Sequence, residues 1–180
     1  MRNTIRLFVR WIVCLALAST FLLAAPRQAA AVTFPSGFTQ SNWGSGHSAG
    51  TAMAFAPDRR LFVAAQDGTV RIVRNGTTLA TPFLKVDTDW QGERGLTGIA
   101  IDPDFTSNGY VYLYYAVTTP TVHNKVARFV ADGDVAKQSG GVPVETTILD
   151  LDDLSTINIH NSGAMNFGPD GKLYVAVGEN

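Results

Sequence analysis

Cysteine is all but missing: the 180 residues contain one, Cys14, and it lies inside an apolar stretch near the N-terminus. A disulfide framework and thiol chemistry are thereby excluded for the remainder of the chain. No basic excess exists either, since 14 Lys and Arg stand against 15 Asp and Glu. That balance argues against a nucleic-acid partner, because phosphate binding needs concentrated Lys and Arg. The longest apolar run, WIVCLALASTFLLAA, covers fifteen residues from Trp11 to Ala25 and stops at Pro26 and Arg27. It falls short of the ~20 residues that a membrane-spanning helix needs. Helical periodicity is weak throughout, and its best candidate, DLDDLSTI from Asp150 to Ile157, is short and reads as an acidic, solvated loop. Serine nucleophile elbows and phosphate loops are absent, and His47, His123 and His160 have no zinc-site spacing.

The start of the chain has the order of a secretory signal. Arg2, Arg6 and Arg10 precede the apolar run with no acid among them, and Ala29-Ala30-Ala31 supplies the small residues of a cleavage site. Residues 1–31 are expected to be a signal peptide, with Val32 first in a secreted or periplasmic product that has no stable membrane insertion. Losing Arg2, Arg6, Arg10 and Arg27 leaves ten bases against fifteen acids, a net charge near −5.

What remains is repetitive. TAMAFAPDRRLFVAAQDG from Thr51, GLTGIAIDPDFTSNGYVYLYYA from Gly95 and SGAMNFGPDGKLYVAVGE from Ser162 can be laid over one another. Each has a strand of small and apolar residues, a Pro-Asp turn, and a second strand rich in aromatic and branched residues. Pro57, Pro103 and Pro169 preset φ for a turn, and Asp58, Asp104 and Asp170 can bond its backbone, with Gly109 and Gly171 relieving the sterics that follow. Asn75-Gly76 is a further two-residue hairpin signal, so a unit holds about four strands. The longer interval between Pro103 and Pro169 contains DGDVAKQSGG, read as an insertion. Antiparallel four-stranded units at this period predict an all-β fold of propeller blades, about the first three of six. A β-sandwich also uses short strands, but it does not require the same unit three times. Expressed alone, an unclosed fan of three blades is expected to aggregate and to be inactive.

Loops entering the innermost strands of a propeller converge at one end. Two stretches occupy that position, Trp90 to Gly98 and Asn158 to Gly163, placing Glu93 and His160 at comparable points on neighbouring blades. Beside Arg94, Glu93 reads most simply as an exposed ion pair. DPDFTSNG has the alternating acids of a calcium loop, but Ser107 stands where the sharp turn needs glycine; Asp150 to Asp153 could touch calcium, though a solvated acidic loop is the simpler reading.

The stretches PSGFTQ, TAMAFAPD, GERGLTGIAIDPDFTSNGYVYLYY and, above all, IHNSGAMNFGPDGKLYVAVGEN resemble the soluble glucose/sorbosone dehydrogenase family, secreted quinoproteins built as six-bladed propellers. The resemblance implies oxidation of an aldose or related sugar at its anomeric hydroxyl, with pyrroloquinoline quinone and calcium as cofactors and an external electron acceptor. It places the catalytic histidine on His160, puts Glu93 near the quinone where other members have glutamine, and makes the neighbouring Asn161 a cofactor contact. Glu179 stands where relatives have an aspartate. Calcium ligands are expected beyond Asn180, with no metal ligand among the residues present. A non-catalytic propeller that binds sugar or protein is the alternative.

Overall fold

The computed structural model describes residues 33–179. The expected signal peptide and its cleavage site lie outside them. Residues 33–40 belong to a separate small unit, in which Phe38 N–H donates to Pro35 O in a turn. Everything that follows concerns the unit from Ser41 onward.

This unit is made of antiparallel sheets. The first contains β1 (Gly50–Phe55), β2 (Leu61–Ala65) and β3 (Thr69–Arg74), with two short strands, β4 (Thr77–Thr78) and β5 (Leu84–Lys85), sharing the fourth place against β3. The second is β6 (Leu96–Ile101), β7 (Tyr110–Val117), β8 (His123–Asp132) and β12 (Thr146–Asp153), in that order. Between β8 and β12 come β9 (Val135–Ala136) and β10 (Gln138–Ser139), which lie in the expected insertion, and β11 (Val142–Pro143), which follows it directly. A hairpin, β13 (Ser162–Phe167) and β14 (Leu173–Val177), starts a third sheet. Strand β6 touches both β1 and β13, so the first strand of each sheet lies innermost, as in consecutive propeller blades.

Local chemistry explains the turns. Ala56 N–H bonds Arg60 O across the first Pro-Asp turn, and Gly168 N–H bonds Lys172 O across the third. In the second, one helical turn, α1 (Phe105–Asn108), is added before Asp102 N–H closes on Tyr110 O. Gly109 and Gly171 take left-handed φ values of 66° and 74°, and in the first unit Arg59 occupies that role at 71°. Asn75 and Gly76, with φ of 50° and 78°, make the hairpin turn between β3 and β4.

The core lies between the first two sheets. Phe62 is fully buried and meets Phe83 and Phe105 edge-on, at centroid distances of 5.0 and 5.9 Å, with Val70, Ile72, Leu96, Ile99 and Leu113 around them. Burial of each large side chain here contributes about 1.5–3 kcal/mol. One sequence expectation is corrected: Asp150 to Asp153 are not a loop but belong to β12, the outer edge strand of the second sheet. Its exposed acids interrupt an edge that would otherwise invite pairing with another chain.

Candidate functional site

In an antiparallel blade, the start of the innermost strand and the turn between the second and third strands share one end. The loops before β6 and β13 therefore emerge together. Each innermost strand has a register irregularity near its start, between Gly50 and Ala52, Leu96 and Gly98, and Ser162 and Met165. Such bulges turn side chains and loop backbone away from regular pairing.

Arg94 joins the two loops. Its exposure is 8%, and its guanidinium donates to Asp89 Oδ2 at 2.8 Å and to the carbonyls of Ser155 and Ile157 at 2.6 and 3.3 Å. This replaces the expected surface pair with Glu93: the buried Arg94 charge is met by Asp89, whose side chain is equally enclosed. Glu93 is left for a different partner. Its N–H donates to Asn158 O at 2.8 Å, and its Oε2 accepts from His160 N–H at 2.6 Å. Gly92 has no Cβ because one there would strike Asn158.

His160 adopts a left-handed φ of 61°, a conformation that costs a non-glycine residue about 1–2 kcal/mol. Its exposed ring points Nδ1 at Glu179 Oε1, 2.8 Å away. At such exposure the pair adds little stability; its consequence is orientation. Glu179 was noted in the sequence only as a substitution, yet the hairpin register contains the signal. Ser162 pairs with Val177, so residues just before β13 and just after β14 must be neighbours. Gly178 lies so close to the His160 carbonyl that no side chain fits there.

Asn161 is placed differently from its two companions. It is 2% exposed, while Glu93 and His160 are open to solvent. Its carbonyl accepts from the Tyr114 hydroxyl at 3.2 Å, and burial pushes that phenol's pKa up to about 12, so it remains a donor. The structure thus brings Glu93 and His160 together and turns Asn161 inward. His47 bonds Thr78, and His123 bonds Thr121 O and faces Asp150, both apart from this cluster. Among the described residues, no group of three or more His, Cys, Asp or Glu could hold a metal ion.

With this geometry in view, the comparisons are specific. A sequence profile described as glucose/sorbosone dehydrogenase matches residues 47–180. The chain belongs to the glucose/sorbosone dehydrogenase family. It is 29% identical over 132 residues to aldose sugar dehydrogenase YliI of Escherichia coli (strain K12), covering 72% of this chain and 35% of that protein. It is 29% identical over 131 residues to the hedgehog-interacting protein of Mus musculus, covering 67% of this chain and 19% of that one. The PQQ-bound aldose sugar dehydrogenase from Streptomyces coelicolor superposes with a TM-score of 0.66 at 30% identity, over 77% of this chain and 40% of its own. The chain spans well under half the length of each. The all-β propeller architecture and the family are as the sequence predicted.

Proposed function

We propose that this chain forms part of a secreted, quinone-dependent sugar dehydrogenase that oxidises an aldose or related sugar at its anomeric hydroxyl, with His160 as general base. The observation that carries this is the contact of Glu179 Oε1 with His160 Nδ1. A carboxylate accepts only, so it favours the tautomer with the proton on Nδ1 and leaves the Nε2 lone pair to take the sugar hydroxyl proton. As that proton arrives, Glu179 offsets the charge of the imidazolium, in the way a carboxylate orients and supports a histidine base elsewhere. Glu93 acts on the backbone, holding His160 N–H and hence the corner from which the ring projects.

The residues present fit the cofactor in part. Pyrroloquinoline quinone, when bound, supplies the two-electron acceptor for the hydride that leaves the sugar carbon. Its three carboxylates need cations, whereas Glu93 and Glu179 are the charged neighbours of His160 and Arg94 is committed to Asp89. In this proposal the anion-holding groups and the calcium ligands come from other parts of the protein. Glu93 would meet the quinone through Oε1, since Oε2 is held by the His160 N–H. An external electron acceptor completes the cycle.

A second reading is a propeller that binds a protein or sugar without oxidising it. It is favoured by the two carboxylates beside His160 and by the likeness to a hedgehog-interacting protein. Dye-linked oxidation of aldoses by the full-length protein, with and without added quinone and calcium, separates the two. Quinone-dependent turnover supports the dehydrogenase; failure to bind quinone in the presence of calcium supports the binding protein.

A further inference from the structure

Asn161 follows His160 directly, and neither its Oδ1 nor its Nδ2 has a hydrogen-bond partner although the residue is 2% exposed. On the neighbouring innermost strand, the Thr97 hydroxyl is likewise buried and unpartnered. Both residues lie beside the same contact between β6 and β13. Gly163, two residues beyond Asn161, lies against the Thr97 side chain and the Tyr114 ring so closely that a Cβ would strike both, and the Tyr114 hydroxyl donates to Asn161 O at 3.2 Å. Gly98, next to Thr97, meets the Gly163 carbonyl in the same way.

We infer that an internal water occupies this junction, bonded to the Asn161 carboxamide and the Thr97 hydroxyl and tying β13 to β6 immediately after His160. A carboxamide left dry forfeits an acceptor and two donors at once, and Thr97 forfeits a hydroxyl, so the desolvation cost falls on both strands. Immobilising one water costs less than that, and buried waters of this kind typically make two to four such bonds. The glycines keep the two backbones close while the polar side chains beside them retain their unmet hydrogen-bonding capacity. Asn161 is therefore assigned to a structural hydration site and not to the quinone. The inference is independent of the dehydrogenase proposal.

Two measurements test it. A high-resolution crystal structure of the full-length protein should show a solvent peak within hydrogen-bond distance of both the Asn161 carboxamide and Thr97 Oγ1. No peak, or a carboxamide bonded directly to a protein group or to quinone, overturns the assignment. The wild-type density decides this even if a variant fails to fold. In a double-mutant cycle, Asn161→Leu and Thr97→Val should each lower Tm, and the pair should lower it by less than the sum, because either change alone dismantles the same bridge. Additive shifts would overturn it.

Discussion

Glu145 shows how opposing effects at one residue set a pH response. Burial alone pushes its carboxyl up, but hydrogen bonds from the Lys125 ammonium and the Tyr115 hydroxyl, with the Lys125 charge, outweigh burial and hold it below the ordinary value of 4.5. A carboxyl depressed on folding contributes stability that is complete above about pH 4.5 and is lost as pH falls through the folded value. Glu145→Gln is expected to flatten the acid limb of the Tm-against-pH curve, read by thermal melts at descending pH; an unchanged limb would remove Glu145 as its source. The Tyr115 phenol moves the other way, raised first by burial and then by Glu145. Arg59 supplies a second expectation. It holds the left-handed place that glycine fills in the other two Pro-Asp turns, and Arg59→Gly should raise stability by up to about 1 kcal/mol, measured by urea denaturation. That position was legible by aligning the turns. The partner of Glu93 was not: adjacency in sequence suggested Arg94, but Arg94 is buried against Asp89 and Glu93 reaches across to a loop 67 residues away.

At the scale of elements, the strand pairs were legible because their determinants are local: a Pro-Asp turn, a glycine, and alternation on either side. The second half of β12, Asp150 to Asp153, reads as loop because its acids leave almost every position exposed and no alternation shows; pairing with β8 decides its conformation. The insertion was visible as a polar stretch, but its purpose was not. Asp134, just before β9, meets both Arg60 and Arg74 of the first blade, and Arg60 also pairs with Asp58 at 2.8 Å and lies 5.4 Å from the centroids of the Phe62 and Phe105 rings. Arg60→Ala should destabilise by about 1–3 kcal/mol, more through lost packing than lost charge because its acidic partners are partly exposed. Arg60→Met, which keeps much of the packing, should recover part of that loss. The contact of Gly98 with the Gly163 carbonyl makes a sharper prediction. Gly98→Ala should cost about 1–3 kcal/mol by forcing β13 away from β6, and hydrogen exchange should report the opening in residues 160–167 before the first blade.

At the scale of the whole molecule, large apolar side chains stand exposed on the first and third sheets. Met53 and Phe55 on β1 are 69% and 63% exposed, and Tyr174 and Val177 on β14 are 58% and 53% exposed. Residues 32–180 expressed alone are therefore expected to self-associate, as sedimentation velocity would show, and a sharply melting monomer would contradict that expectation. The described residues of the site assemble an oriented histidine and two carboxylates. The central claim is that His160, oriented by Glu179, removes the sugar hydroxyl proton. The most direct test is turnover per bound quinone in dye-linked sugar oxidation by the full-length wild type and His160→Gln. Glutamine keeps the polarity but cannot serve as a base, so quinone occupancy should be unchanged and turnover should fall by about 10²–10⁴. Equal turnover at equal occupancy would contradict the account.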